Sequence, residues 1–174
     1  IKFSMIEVDR AVFTFRLGAE ECSRIYGEVL PLDLLPGSEN KTGIVRRFPI
    51  GLILGITPWN FPVNLAAHKI SPALASGNVI MIKPSSNSML TAIALGRIVF
   101  DACKELEITS IPLNILPISG SKMDKHISDN RIKLISFTGS GDVGWGIKKK
   151  SARQKISLEL GGNAGVIVNY DAEI

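Results

Sequence analysis

The chain has 174 residues, a length that suits one domain of ordinary size. Hydrophobic residues make up 45% of it and charged residues 21%, which excludes an intrinsically disordered chain and predicts a buried core. The net charge is only +4 and most basic residues are scattered, so we expect no nucleic-acid partner.

The N-terminal part of the chain predicts a helix followed by short extended segments. Apolar residues recur at three- and four-residue steps over residues 8–30, which indicates an amphipathic helix. The turn-rich stretch PLDLLPGSENKTG follows over residues 31–43. Two short extended runs, divided by Pro49, then come in IVRRFPIGLILGIT. We expect an N-terminal helix and a short β-hairpin beside the main fold.

After these runs, helices alternate with short apolar strands. Pro62 favours the start of a helix, and Gly77 favours its end. Helices are predicted over residues 63–75, 89–106, 121–129 and 141–152. Strands are predicted over residues 78–83, 113–117, 133–137, 155–160 and 165–169. Because these strands are apolar on both faces, the pattern predicts an α/β fold with helices on both faces of a parallel sheet.

The two cysteines, Cys22 and Cys103, form no CxxC pair and have no histidine nearby. Each lies in an apolar helical pattern, so we expect buried thiols in a reducing compartment, a cytoplasmic location and no metal site. No apolar run reaches the ~18 residues of a membrane-spanning helix, so no membrane partner is expected. The N-terminus lacks a signal-peptide pattern and does not begin with Met, which predicts a fragment or a processed start.

A glycine-rich turn connects the predicted strand over 133–137 to the helix after it. Gly139, Gly141 and Gly144 have G-x-G-x-x-G spacing within SFTGSGDVGWG. Backbone N–H groups in such a turn can approach a phosphate, and the helix N-terminus favours its negative charge. The turn therefore favours nucleotide binding, although a tight turn that merely requires glycine gives the same pattern.

Glu159 lies twenty positions after Gly139, near the end of the predicted strand over 155–160. An acidic residue at this position binds the ribose in ordinary dinucleotide-binding folds. Two features oppose that role. The glycine turn comes after three strand-and-helix units, and Gly161 and Gly162 follow Glu159 closely. On these residues alone, a ribose ligand and a catalytic base both remain open.

Three segments, in their order and spacing, resemble the aldehyde dehydrogenase superfamily. They are ITPWNFPVNLAAHKISPALASGNVIMIKPS over 56–85, ISFTGSGDVG over 135–144 and LELGG over 158–162. The resemblance runs from about Gly43 to Ile174 and implies a Rossmann-like sheet that binds NAD or NADP. The stretch IGLILGITPWNFPVNLAAHKI looks most like the branch of lactaldehyde and non-phosphorylating glyceraldehyde-3-phosphate dehydrogenases.

The resemblance implies an N-terminal helix and turn region over 1–42 and an NAD(P)-binding domain over 43–174. It also implies oxidation of an aldehyde to a carboxylic acid through a thiohemiacetal and a thioester on a cysteine. In the family that cysteine lies beyond the LELGG segment, so we expect the nucleophile and the catalytic domain to be absent from this chain. The full-length protein is expected to be a homo-oligomer. A non-catalytic nucleotide-binding module and an acyl-transferring relative are the alternatives.

The resemblance also implies contacts with the cofactor. Thr57, Pro58 and Trp59 match residues that line the nicotinamide, and Lys83 matches the lysine that holds the adenosine ribose. The glycine turn matches the segment that lies by the pyrophosphate. The implied cofactor contacts are Thr57, Pro58, Trp59, Lys83, Ser86, Gly139, Ser140, Gly144 and Gly161.

Ser86 bears on the choice between NAD and NADP. Family members that favour NAD often carry a glutamate at this position, and its charge would repel a 2′-phosphate. Serine removes that charge, so NADP is expected to be accepted or preferred. The alternative is that Ser86 only opens the helix that follows it.

Two residues match catalytic positions of the family. Asn60 matches the side-chain donor that stabilises the oxyanion, although without its neighbours a turn residue before Pro62 is the plainer interpretation. Glu159 matches the general base that activates water against the thioester, so the resemblance favours a base over a ribose ligand. His68 and His126 match no functional position.

Overall fold

The computed structural model describes residues 2–173. The helices are α1 Lys2–Glu21, α2 Asn64–Ala75, α3 Met89–Glu105, α4 Gly120–Asp124 and α5 Gly141–Lys150. The strands are β1 Glu28–Pro31, β2 Thr42–Val45, β3 Leu52–Ile56, β4 Val79–Lys83, β5 Leu113–Ile115, β6 Ile132–Thr138 and β7 Lys155–Glu159. Within residues 2–173, no helix has the length and apolar character needed to cross a membrane.

Five parallel strands form the central sheet in the order β5-β4-β3-β6-β7. The chain moves outward from β3 to β5, returns to place β6 beside β3, and then continues to β7. The direction of winding therefore reverses between β3 and β6. In open α/β sheets, ligands bind at the carboxyl ends of the strands where this reversal occurs.

Helices cover both faces of this sheet. One buried cluster joins α2 and α3 to the sheet, and a second joins α5 and the α4 region to the opposite face. The neighbouring residues Ile53 and Leu54 belong to different clusters, because successive side chains of a strand point to opposite faces. Leu54, Ile82 and Ile135 are 0% exposed, and burying each such side chain contributes about 1.5–3 kcal/mol. The predicted Rossmann-like α/β fold is confirmed.

The N-terminal helix lies earlier than predicted. It ends at Glu21, whereas the periodicity predicted a helix over 8–30, and residues 28–31 instead form β1. β1 pairs antiparallel with β2, so a short hairpin forms as expected, although the second of the two predicted runs, β3, instead joins the central sheet. A Cβ at Gly27 would collide with the carbonyl oxygen of Val45. A helix over 8–30 would leave the backbone N–H and C=O groups of β2 without these hydrogen-bond partners. The strand pairing therefore prevails over the local helical periodicity.

The early end of α1 changes the environment of one thiol. Cys22 lies in the 3-10 turn Cys22–Arg24 after α1 and is exposed, so the prediction of a buried thiol was wrong there. Cys103, on α3, is buried as predicted. Both cysteines are free.

α1 is nevertheless in close contact with α2. Ala11 is buried, and Phe15 packs against the cluster that contains α2. The Ser71 hydroxyl donates to the carbonyl oxygen of Thr14 over 2.9 Å, and a Cβ at Gly18 would collide with the same hydroxyl. The N-terminal helix is therefore anchored to the first helix of the α/β unit.

The predicted strand over 165–169 was wrong. Residues 160–169 belong to no helix or strand, and Val166 and Ile167 are 84% and 96% exposed. Their β-branched side chains favour extended backbone, but a strand also requires a neighbouring strand to satisfy its N–H and C=O groups. α4 is also shorter than the predicted 121–129, because residues 125–128 continue as turns.

Candidate functional site

A cleft of about 620 Å³ opens at the carboxyl ends of β3, β4 and β6, where the winding reverses. One wall comes from the segments that leave β3 and β4, and the other from α4 and α5. Five of the predicted cofactor residues line it. They are Thr57, Pro58, Lys83, Gly139 and Ser140.

Thr57 and Lys83 hold the two central strands together at the floor of this cleft. The Thr57 amide donates to the carbonyl oxygen of Lys83 over 3.2 Å, and the two residues are 4% and 8% exposed. Burial lowers the pKa of the Lys83 ammonium, and no carboxylate of the described chain opposes that shift. An ammonium in this position is desolvated without an acidic partner, so an anionic or hydroxyl-rich ligand would compensate for the cost.

The glycine turn places the N-terminus of α5 at the cleft. Ser140 is the N-cap residue, with extended backbone and no side-chain hydrogen bond to the first turn. The N–H groups of that turn are therefore not occupied by a capping side chain. Three lysines in the last turn, Lys148 to Lys150, complement the opposite end of the helix dipole. This geometry suits a phosphate at the N-terminal end.

Gly144 does not line the cleft. It is buried on the inner face of α5, where a Cβ would collide with the Leu160 side chain and lie 3.2 Å from the Phe137 ring. Its contacts are those of the third glycine in a dinucleotide-binding turn, which permits close packing between helix and strand. Gly161 is exposed, and no heavy atom lies within 4 Å of the position that a Cβ would take there.

Ser85, rather than Ser86, lies on the cleft wall beyond Lys83. The Ser85 hydroxyl accepts a hydrogen bond from the Asn87 amide over 3.4 Å, which caps the 3-10 turn Ser86–Ser88. Ser86 is exposed at the start of that turn. Sequence reasoning missed Ser85, although the KPSS stretch contains both serines.

Trp59 and Asn60 lie on the connection between β3 and α2. Both are exposed, Trp59 at 65%, and neither lines the cleft. The next residue, Phe61, has a φ of 46°, in the left-handed region that non-glycine residues rarely adopt. The Asn60 amide is therefore presented from a tight, strained turn that directly follows the cleft residues Thr57 and Pro58.

Glu159 belongs to a hydrogen-bonded group of four polar side chains. The Thr138 hydroxyl donates to Glu159 Oε2 over 3.1 Å, and Lys69 Nζ donates to Thr138 Oγ1 over 2.9 Å and to Ser136 Oγ over 3.0 Å. Lys69 is only 8% exposed, and burial lowers its pKa to about 8, against the opposing effect of the Glu159 charge. Because Thr138 also lines the cleft, the carboxylate adjoins the cleft without forming its wall.

Sequence reasoning missed Lys69 and Thr138. Lys69 occupies a position in the buried stripe of α2, together with Ala66, Ile70 and Ala73. A lysine in such a stripe is unusual and was the available signal. A Cβ at Gly55 would lie 3.3 Å from Lys69 Cδ, so this glycine leaves room for the lysine stem to cross β3 and reach β6.

The residues of the cleft can bind and orient an anionic ligand, and the adjoining carboxylate can accept a proton. The cleft offers a buried ammonium and an uncapped helix N-terminus to an anionic ligand. Beside it, a carboxylate is held by a hydroxyl that is itself bonded to an ammonium whose pKa burial lowers to about 8. A carboxylate in such surroundings can accept a proton from water.

The sequence of the whole chain, residues 1–174, matches the model of the family described as the aldehyde dehydrogenase family. A 3-sulfolactaldehyde dehydrogenase of Priestia aryabhattai is 37% identical over 100% of this chain and 36% of its own length. A lactaldehyde dehydrogenase of Methanococcus aeolicus is 42% identical over the same shares. The chain thus spans about a third of the length of these curated relatives.

Solved structures similar to this chain also include aldehyde dehydrogenases. Aldehyde dehydrogenase 21 of Physcomitrella patens, in complex with the reaction product succinate, has a TM-score of 0.87 and 44% identity, covering 94% of this chain and 33% of that one. Glyceraldehyde-3-phosphate dehydrogenase GapN of Methanocaldococcus jannaschii, complexed with NADP, has a TM-score of 0.85 and 41% identity, covering 92% and 34%. With the fold, the cleft and the sequence in agreement over its whole length, the chain belongs to the aldehyde dehydrogenase family.

Proposed function

We propose that the protein containing this chain oxidises an aldehyde to a carboxylic acid with NAD or NADP, and that this chain supplies the cofactor site, an oxyanion donor and a general base. The observation that carries the proposal is the double contact of Thr138, which lines the cleft and also donates to Glu159. One residue thus couples a nucleotide-sized cleft to a carboxylate that can act as a base.

The cofactor fits the residues of the cleft. Lys83 and Ser85 would hold the adenosine ribose or a 2′-phosphate, and Gly139 and Ser140 would receive the pyrophosphate at the start of α5. Thr57 and Pro58, with Trp59 next to them, would flank the nicotinamide, which accepts the hydride when bound. GapN of Methanocaldococcus jannaschii, which resembles this chain, is complexed with NADP. That likeness supports NADP as a cofactor.

The chemical roles follow from the positions of two side chains. The Asn60 amide would donate to the oxygen of the aldehyde as negative charge develops there, which lowers the barrier to attack. Glu159 would take a proton from the water that releases the acid. Because Glu159 contacts Thr138 and does not line the cleft, this placement favours a base over a ribose ligand.

The nucleophile is proposed to be a cysteine outside residues 1–174, on a catalytic domain that carries the thiohemiacetal and the thioester. Cys22 lies exposed after α1 and Cys103 is buried in α3, and neither lines the cleft. The relatives named for lactaldehyde and 3-sulfolactaldehyde support a short 2-hydroxyaldehyde as substrate. A non-catalytic nucleotide-binding module and an acyl-transferring enzyme remain the rival functions.

Three further proposals concern the division of the chain into domains, the location of the protein and its oligomeric state. We divide the chain into a 1–42 region and a 43–174 cofactor-binding domain, although α1 packs on α2 across that boundary. The two free thiols favour a cytoplasmic location. A homo-oligomer is proposed for the full-length protein on the resemblance to the family.

The test combines binding and turnover. The 174-residue chain should bind NADP or NAD, and Lys83→Met should weaken that binding, but the chain should not oxidise lactaldehyde. The full-length protein should reduce the cofactor in the presence of lactaldehyde. Cofactor binding without turnover by the full-length protein would support the non-catalytic module. Turnover that requires an added thiol or phosphate acceptor would support the acyl-transferring enzyme.

A further inference from the structure

The turn that presents Asn60 is strained and is fixed from outside its own segment. Phe61 has a φ of 46°, and its carbonyl oxygen accepts the Leu65 amide over 2.9 Å, which begins the hydrogen bonding of α2. A non-glycine residue in this region is strained and persists only when its surroundings impose it. The direction of the Asn60 side chain depends on whatever imposes this conformation.

The N-terminus of α2 has no cap from neighbouring residues. Its N-cap residue is Val63, which has no side chain able to accept a hydrogen bond. The first N–H groups of a helix need acceptors, and Ser, Thr, Asp or Asn normally supply one at this position. The cap must therefore come from elsewhere in the chain.

Glu7 on α1 supplies that cap. Its Oε1 accepts the Val63 amide over 2.7 Å and the Asn64 amide over 3.1 Å, across 56 and 57 residues of sequence. A carboxylate at a helix N-terminus also interacts favourably with the helix dipole. Glu7 and the Phe61 carbonyl together satisfy three successive amides, those of Val63, Asn64 and Leu65.

We infer that Glu7 is a positioning residue for Asn60. By bonding two amides at the start of α2, Glu7 holds the left-handed turn at Phe61 and thus the direction of the Asn60 amide. The inference rests on the proposed role of Asn60 as oxyanion donor, and it makes α1 part of the catalytic assembly. Loss of the cap allows Phe61 to relax to a common backbone region, which rotates Asn60 away from the oxyanion position.

Kinetics of the full-length enzyme test the inference. Glu7→Ala should lower kcat about tenfold or more while leaving the KM for the cofactor unchanged, because small displacements of a reacting group are costly. Glu7→Gln, whose amide oxygen can still accept both N–H groups, should recover most of kcat. Ser71→Ala is the matched control, because it removes a different hydrogen bond between α1 and α2. Ser71→Ala should lower the free energy of unfolding and leave kcat unchanged.

A double-mutant cycle then separates positioning from general destabilisation. In an Asn60→Ala background, Glu7→Ala should have little additional effect on kcat, because the group that it positions is gone. If Glu7→Ala does not fold, Glu7→Asp replaces it in the same cycle. The inference would be overturned if the effects of Glu7→Ala and Asn60→Ala on kcat were fully additive. It would also be overturned if Glu7→Ala and Ser71→Ala lowered kcat equally.

A measurement by 19F NMR tests the inference without depending on enzyme activity. The chain has two tryptophans, Trp59 beside Asn60 and Trp145 on α5. With 5-fluorotryptophan labelling of the full-length protein, Trp59→Phe identifies the 19F resonance of Trp59, which reports on the turn. It should split or broaden in Glu7→Ala and stay sharp in Glu7→Gln and Ser71→Ala. An unchanged resonance in Glu7→Ala contradicts the inference. An inactive full-length wild type refutes only the proposed function, and the resonance still decides the role of Glu7.

Discussion

Lys69 on α2 donates a hydrogen bond to Thr138 on β6 over 2.9 Å, although 69 residues of sequence separate them. The lysine stem crosses β3 at Gly55, where the absence of a side chain leaves room for it. Through Thr138, the ammonium is connected to Glu159. The proposed base is therefore held by residues from two other elements of the sheet and its helices.

The buried Lys69 makes stability depend on pH in the alkaline range. Burial lowers its pKa from the usual 10.5 to about 8, so between these values the unfolded chain holds a proton that the folded chain has lost. The cost of burying the charge is fully present below pH 8 and is relieved as the pH rises towards 10.5. A shift of this size corresponds to about 3 kcal/mol.

The measurement is urea unfolding of the wild type and Lys69→Met at several pH values from 7 to 10.5. The free energy of unfolding of the wild type should rise relative to that of Lys69→Met by up to about 3 kcal/mol across this range. Other lysines titrate equally in both proteins and cancel in the difference. A pH-independent difference would show that Lys69 keeps an ordinary pKa.

In the full-length enzyme, Glu159→Gln should slow release of the acid more than hydride transfer. Because the carboxylate is proposed to serve the water step, a pre-steady-state burst of reduced cofactor should persist while the steady-state rate collapses. Rapid-mixing absorbance measurements distinguish the two phases. If the substitution instead mainly weakened cofactor binding and left turnover intact, Glu159 would be a ribose ligand.

Ser86→Glu should weaken NADP binding by about 1–3 kcal/mol and spare NAD, because a carboxylate beside a 2′-phosphate replaces a hydroxyl. Ser86 is exposed and adjoins Ser85, which lies on the cleft wall. Ser86→Gln has the same length without the charge and is the control. Titration of both cofactors into all three proteins measures the effect. Equal NADP affinity in Ser86→Glu and Ser86→Gln would remove Ser86 from cofactor choice.

Gly144 and Gly146, two positions apart on α5, should respond in opposite directions to alanine. A Cβ at Gly144 would collide with Leu160, so Gly144→Ala should lower the free energy of unfolding by about 1–3 kcal/mol. No heavy atom lies within 4 Å of a Cβ at Gly146, so Gly146→Ala should raise it by about 0.5–1 kcal/mol through helix propensity. Thermal unfolding of the two variants compares them. Equal tolerance at both positions would refute the packing role of Gly144.

Local patterns in the sequence were sufficient for much of the fold. Apolar runs alternating with helical periodicity predicted β3, β4, β6 and β7 and the helices between them, because burial on both faces of a parallel sheet leaves a continuous apolar run. The glycine turn before α5 was predicted for the same local reason, since a strand-to-helix turn needs backbone freedom there. The PWNFP and LELGG segments carried the resemblance that indicated Asn60 and Glu159 as candidates.

Tertiary structure decided which distant residues meet. Helical periodicity past Glu21 and β-branched residues at 165–169 both favoured elements that do not form, because strand pairing depends on partners far along the chain. Lys69 meets Thr138 only because the return crossover places β6 beside β3, and Glu7 reaches Val63 only because α1 packs on α2. Periodicity reports how each segment is buried, but strand order and helix packing decide which side chains share a site, and these depend on the energy of the whole fold.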